Sequence, residues 1–206
     1  MTLPPQEMSL RRITLAITGA SGTVLAQKAL QLLVADARVG EVNLVPSAHA
    51  VRVASEEMSL AVGSLKDFAT HLLGATHAKV RVHDNRDIGA TIASGSYPID
   101  AMVIVPCSMG TLASVAHGLA DNLVERAADV CLKERRPLVL AVREAPLNRI
   151  HLQNMLTAHD AGAIIFPVIP AFYDGAQSGE QSATQFVCRL LAQIGLPQAQ
   201  AFQWPG

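Results

Sequence analysis

Apolar residues along this chain fall into two alternating rhythms. Short, unbroken, often β-branched runs have the length and composition of buried strands. They are RITLAI (12–17), EVNLV (41–45), AKVRV (78–82), MVIVP (102–106), PLVLAV (137–142) and AIIF (163–166). Between them, apolar residues recur at three- and four-residue spacing, which predicts helices. These cover 23–35 (Leu25, Ala29, Leu32 and Leu33 inward), 46–58 (Ala48, Val51, Ala54) and 65–73. Further helices are predicted over 111–118, 122–133 (Val124, Ala127, Ala128, Cys131), 148–161 (Leu152, Met155, Leu156) and 182–194. Segment 84–98 reads as a loop, and two prolines make PVIPAFY (167–173) irregular and extended. Strands alternating with helices predict an α/β fold: a doubly wound, mostly parallel, Rossmann-like or flavodoxin-like sheet with helices on both faces. The division expected is a loose arm over 1–10 and a single domain over 11–206, without internal repeat or linker.

Composition narrows the function. A chain of 206 residues, half of them apolar, can bury a large core. No apolar run reaches the length of a membrane span, and the start lacks a signal-peptide pattern, so a cytoplasmic protein without a membrane partner is expected. A net charge of −1 and 4% aromatic residues argue against nucleic acid as a partner. Cys107, Cys131 and Cys188 are far apart and odd in number, as reduced thiols are. His71, His77 and His83 lack ligand spacing, so no metal is expected. Positive charge is nevertheless local: six of the sixteen Lys and Arg residues fall between Arg126 and Arg149.

In open parallel sheets, ligands bind beyond the carboxyl ends of the strands. Those ends carry most of the unusual residues. Thr18-Gly-Ala-Ser-Gly22 joins a strand to a helix, where free N–H groups attract an anion. Its Gly-x-x-Gly spacing is shorter than a dinucleotide fingerprint and equally suits a plain tight turn. Ser21 serves equally as a helix cap or a catalytic hydroxyl. Glu56 and Glu57 fall near the unfavourable pole of the predicted 46–58 helix, so either one has another task or both are solvated. Lys133, taken locally, is a helix-end charge. The converging candidates are the hydroxyls Ser21, Ser108 and Thr111, the carboxylates Glu56 and Glu144, the cations Arg126, Lys133, Arg143 and Arg189, and the Tyr173 phenol. Four cations exceed what one mononucleotide phosphate needs, which points to two phosphate-bearing ligands.

At TGASG (18–22), ASGSYP (93–98), VIVPCSMGTL (103–112), NLVERAADVCLKERRPLVLAVREAP (122–146), HLQNM (151–155) and GAIIFPVIPAFY (162–173), the sequence resembles the UbiX-type flavin prenyltransferases. These belong to the homo-oligomeric FMN-containing flavoproteins, as do the flavin-dependent cysteine decarboxylases. The resemblance runs from about residue 12 to residue 204. It implies that the chain joins the dimethylallyl group of dimethylallyl phosphate to N5 and C6 of reduced FMN without a metal. The prenylated FMN would serve a UbiD-type decarboxylase. It also implies trimers grouped into a dodecamer, with the flavin at subunit interfaces.

By position, the resemblance implies FMN contacts at Gly19, Ala20, Ser21, Ser108, Met109, Gly110, Thr111 and Arg143. Lys133, Glu144, Tyr173 and Arg189 would hold dimethylallyl phosphate, with Arg126 close by, and Ser21 and Glu56 would relay a proton. Where the family usually carries a flavin-contacting serine after the second strand, this chain has Pro46, with Ser47 next. Proline lacks both hydroxyl and N–H, so weaker FMN retention is expected unless Ser47 substitutes. Two alternatives stand beside this reading: a cysteine decarboxylase of the same family, or a non-catalytic FMN-delivery protein. The decarboxylase branch carries a histidine in the first helix region and a Pro-x-Met-Asn motif, and this chain has neither.

Overall fold

Six parallel strands make one sheet, in the order β3-β2-β1-β4-β5-β6. They are β1 (Arg11–Ile17), β2 (Val39–Pro46), β3 (Val80–Val82), β4 (Ala101–Cys107), β5 (Leu138–Val142) and β6 (Ile164–Ile165). The helices are α1 (Thr23–Ala35), α2 (Ala48–Met58), α3 (Leu65–Leu73), α4 (Met109–Ala116), α5 (Leu123–Lys133), α6 (Arg149–Asp160) and α7 (Gly179–Ala192). This computed structural model describes residues 10–172 and 178–204. Of the expected arm over 1–10, only Leu10 therefore lies within the described residues. No helix among them is long and apolar enough to cross a membrane.

Both sheet faces are covered, so the central strands are apolar on both sides. On one face Ile13, Leu15 and Ile17 of β1 pack with Leu30 and Leu33 of α1, Phe68 of α3 and Leu190 of α7. On the other, Met102 and Ile104 of β4 and Leu138 and Leu140 of β5 meet Leu112 of α4 and Ala127 and Cys131 of α5. Each fully buried side chain of this kind stabilises the fold by about 1.5–3 kcal/mol. The inward residues expected on α5 (Val124, Ala127, Ala128 and Cys131) are all buried.

Two expectations shift. The helix expected over 46–58 begins at Ala48, with Ser47 as its cap, and Pro46 closes β2. Its inward residues are Ala50 and Ala54, not Ala48. On α6, Asn154 and Ala158 are buried, whereas Leu152 and Leu156 are 55% and 61% exposed. The inward face of α6 is mixed: Ala158 and the partly buried Met155 pack on the same core as Leu112 and Val115 of α4, while the Asn154 amide oxygen stands 3.2 Å from His117 Nε2. An inward apolar stripe is the right reading only if a single chain must cover it.

The chain winds outward from β1 to β3, then returns to β4 and winds the other way. The order therefore reverses between β1 and β4, whose diverging ends open a crevice. Thr18 fastens that crevice at its root. Its buried hydroxyl donates to the Pro106 carbonyl at 2.9 Å and accepts from Ser108 N at 2.8 Å. Thr18→Val keeps the shape and removes both bonds, leaving the partly buried Ser108 N–H without this partner and the Pro106 carbonyl with only the residue-18 N–H at 3.2 Å. The expected loss is about 1–3 kcal/mol of unfolding free energy, measured by denaturant titration.

Candidate active site

The first element of the site is the turn between β1 and α1. Gly22 caps α1 with φ 122°, a conformation other residues rarely adopt, and no side chain of the turn caps the helix. The cap comes from another helix. Glu57 near the end of α2 accepts from Gly22 N at 3.0 Å and from Thr23 N at 2.8 Å. The Ser21 hydroxyl hydrogen-bonds to the same carboxylate. Burial alone would raise the Glu57 pKa, but the bonds from Ser21, Thr23 and Gly22 outweigh it and hold the carboxyl below its ordinary value. The charge that is unfavourable at the end of α2 is favourable at the start of α1. Glu56, expected to share the relay with Ser21, instead lies exposed and pairs with Arg52 at 3.2 Å. The side chain at Ser21 is that of Glu57. One helical residue turns through about 100°, so two adjacent glutamates cannot both face the turn.

Beyond this turn lies a polar cleft of about 440 Å³, lined by Thr18, Gly19, Ser47, Ser108, Gly110 and Thr111 among others. Three helices begin on it. Ser47 caps α2 by accepting from Ala50 N at 3.1 Å, and Ser108 caps α4 by accepting from Thr111 N at 3.3 Å. Asn122 caps α5 by accepting from Glu125 N at 3.1 Å. The positive poles of three helices thus meet at one cavity, a setting for an anion. Gly19 lets α2 come close: a Cβ there would stand 2.5 Å from the His49 Cβ. Pro46 does not line the cleft; it is buried at the end of β2 and paired with Ile17, and Ser47 takes the cleft position. His49, Asn85 and Asn122 were not picked out by the sequence pattern, Ser47 stood only as a possible substitute for Pro46, and Glu57 only as an equal partner of Glu56. The one available signal was the pair Glu56-Glu57 at a helix end where negative charge is unfavourable.

A second, more apolar pocket of about 280 Å³ adjoins the turn, lined by Ser21, Gly22, Leu25, Arg143, Val168 and Phe186. Phe186 also lines a further cavity of about 280 Å³ with Phe166, Ile169, Pro170 and Arg189. Arg143 follows β5 and is tied to β4 through its N–H, which donates to the Cys107 carbonyl at 3.1 Å. Glu144 is exposed, and its carboxylate accepts from Ala145 N at 3.0 Å. Ala20 sits in the first turn, and Met109 opens α4. Tyr173 lies outside the described residues.

Two expected site residues stand apart. Arg126 Nε donates to the Ala93 carbonyl at 3.1 Å, and its Nη1 pairs with Asp129 at 2.6 Å. Lys133 pairs with Glu134 at 2.5 Å beside Gly95. The eleven residues of α5 carry the chain about 16 Å away from the cleft before Lys133. A single chain therefore does not bring Lys133 to the turn and Arg143, because α5 runs antiparallel to the strands and ends at their opposite edge. Among the described residues, no cluster of three or more His, Cys, Asp or Glu is placed to hold a metal ion.

Comparison with known proteins follows from this geometry. A flavoprotein family profile matches residues 1–193. Flavin prenyltransferase UbiX of Pseudomonas aeruginosa is 46% identical over 197 residues, covering 94% of this chain and 93% of that protein. The chain belongs to the UbiX-type branch of the flavoprotein family. UbiX of Neisseria meningitidis is 42% identical, covering 96% of this chain and 98% of its own length. The crystal structure of AnUbiX with FMN and dimethylallyl pyrophosphate superposes with a TM-score of 0.83 at 41% identity, over 96% of this chain and 98% of that one. A dodecameric FMN-dependent UbiX-like decarboxylase from Escherichia coli gives a TM-score of 0.83 at 38% identity, over 95% of this chain and 100% of that one. The cysteine decarboxylase SpaF, at 21% identity and a TM-score of 0.58, shares the fold alone.

The Glu57 cap sets a pH signature. A carboxyl whose folded pKa is lowered stabilises the fold above its unfolded value, and that stability is lost as pH falls through the folded value. Glu57→Gln should reduce unfolding free energy at neutral pH by about 1 kcal/mol, since the group is partly solvated. The difference from wild type should shrink below about pH 4. Glu56→Gln should stay within about 0.5 kcal/mol at every pH. Denaturation of both variants from pH 3 to 7 distinguishes the two carboxylates.

Proposed function

We propose that this protein is a flavin prenyltransferase that joins the dimethylallyl group of dimethylallyl phosphate to N5 and C6 of reduced FMN, without a metal. Its product would be prenylated FMN for a UbiD-type decarboxylase. The observation that carries the reading is the likeness to AnUbiX, a protein crystallised with FMN and dimethylallyl pyrophosphate, over 96% of this chain. The geometry fits both ligands: a polar cleft at three helix starts for a flavin phosphate, and an adjoining apolar pocket with Arg143 for ring and prenyl groups. Reduced FMN, when bound, supplies the nucleophile.

The chain's own residues then have separable tasks. Gly19, Ala20 and Ser21 of the first turn, and Ser108, Met109, Gly110 and Thr111 of the second, line the flavin. Arg143 completes that set. Arg189, Glu144, Tyr173 and Lys133 hold the donor phosphate, and cations there take up the charge that develops as the carbon–oxygen bond breaks. Arg126 holds the 93–98 loop through the Ala93 carbonyl beside them. The Ser21–Glu57 pair accepts the proton lost from the flavin, with the carboxylate ionised and ready to receive it. Ser47 takes the role expected of a serine after β2, so Pro46 leaves FMN binding intact.

Lys133 reaches the site from a neighbouring copy, which makes the protein a homo-oligomer by necessity. The dodecameric Escherichia coli relative supports trimers grouped into a dodecamer. The exposed Leu152 and Leu156 on α6 are the kind of apolar surface that such an assembly covers.

Two measurements test the proposal. Protein mixed with reduced FMN and dimethylallyl phosphate, with chelator present, should yield a flavin heavier by the five-carbon group; a parallel reaction with the diphosphate identifies the donor. Unchanged flavin mass with FMN bound would leave a delivery protein instead. Glu144→Gln should slow product formation roughly a hundred-fold while FMN stays bound. Replacing Leu152 and Leu156 together by Glu should shift sedimentation to smaller species with the fold retained. An unshifted particle would mean that α6 faces solvent.

A further inference from the structure

The polar cleft contains one feature that the family pattern did not supply. Among the described residues lining it, Glu125 is the only carboxylate and His49 the only side chain able to carry positive charge. Glu125 is engaged at its own helix start, accepting from Asp121 N at 3.0 Å. Arg143 opens onto the adjoining pocket instead. A phosphate entering the cleft would therefore meet helix poles and hydroxyls, but no lysine or arginine.

His49 is the second residue of α2, two positions beyond the Ser47 cap. Its Cβ is packed so closely on the first turn that Gly19 has no room for a side chain. The root of the histidine is therefore fixed between the turn and the helix start, while the residue remains exposed at the cleft. Other histidines are occupied. His71, His77, His83, His117 and His151 each hold a hydrogen bond. Among the described residues only His49 and His159 have no such bond, and of these only His49 stands in a cavity. An imidazole with a fixed base, an uncommitted ring and three helix poles around it is suited to an anionic ligand.

We infer that His49 is a phosphate-recognition residue of the flavin site, its ring N–H donating to the phosphate of FMN. The role rests on the reading that the cleft takes that phosphate. His49 thereby supplies the one side chain able to carry positive charge in a cleft otherwise lined by helix starts, hydroxyls and amides, and makes the site discriminate FMN from the same flavin without phosphate. It acts in binding and positioning.

The test uses FMN and riboflavin as matched probes, with affinities read from quenching of flavin fluorescence on the full chain. Wild type should bind FMN more tightly than riboflavin. His49→Ala should weaken FMN about ten-fold, equivalent to about 1.4 kcal/mol, and leave riboflavin unchanged. His49→Gln, which keeps a donor without the charge, should fall between. Thermal unfolding of each variant should match wild type, since His49 is exposed and its ring holds no hydrogen bond. Equal weakening of both flavins by His49→Ala, or no change in either, overturns the role of His49 while leaving the flavin site standing. Equal affinity of wild type for the two flavins removes the phosphate from the cleft, and overturns both readings together.

Discussion

The parting of the chain between β1 and β4 is the constraint on which the rest depends. Two neighbouring parallel strands must send their connections in opposite directions, so their ends separate, and something must stop the gap from widening. Thr18 does this with a single hydroxyl that bridges the Pro106 carbonyl and the Ser108 N–H. The same bond positions Ser108 as the cap of α4, and the turn after Thr18 positions Gly22 as the cap of α1. Two helix starts are therefore aimed by one contact at the root of the crevice. The β1–β2 pairing, carried up to Ile17 and Pro46, brings the start of α2 to the cleft beside that of α4, and Asn122 at the start of α5 completes the set of three, while the α1 start opens on the adjoining pocket.

The electrostatics follow from that convergence. A helix start is a partial positive charge fixed in the backbone, with no side-chain entropy to lose and no counter-charge needed to keep it in place. Three of them around one cavity make an anion site without lysine or arginine. The start of α1, at the adjoining pocket, is neutralised separately: Glu57 lends it the carboxylate that α2 cannot favourably keep. The arrangement holds that carboxylate ionised beside the Ser21 hydroxyl. Helix capping and readiness to accept a proton are thus two consequences of one set of hydrogen bonds.

The alternation of apolar runs made most of the fold legible. The first helix, 23–35, and the third, 65–73, coincide with α1 and α3, and the inward residues of α5 were correct. The family resemblance, carried by long motifs, is matched by close relatives. What the sequence concealed was direction. Glu56 and Glu57 are indistinguishable in a sequence, and only the rotation between them decides which reaches Gly22. Pro46 and Ser47 differ by one position in the same way: the strand runs one residue further than its apolar run suggested. Helix poles carry no charged side chain, only caps such as Ser47, Ser108 and Asn122, so a search for lysines and arginines passes over the cleft.

Lys133 shows why the single chain is an unfinished site. It belongs to a helix whose start lines the cleft and whose end lies about 16 Å away, held beside the 93–97 loop. No side-chain rotation spans that distance. The loop is rigid where Lys133 meets it, because Arg136 donates to the Gly95 and Tyr97 carbonyls and the Tyr97 hydroxyl donates to the buried Glu41 carboxylate. The cation is thus displayed on a stiff edge, facing away from its own cleft. A stiff edge is useful only to something that docks against it. The outward placing of Leu152 and Leu156 on α6, whose inward face carries Asn154, Met155 and Ala158, is consistent with the same logic. On the proposed reading, the exposed apolar surface of α6 is kept for contact with another copy, and Lys133 is placed where such a copy would need it.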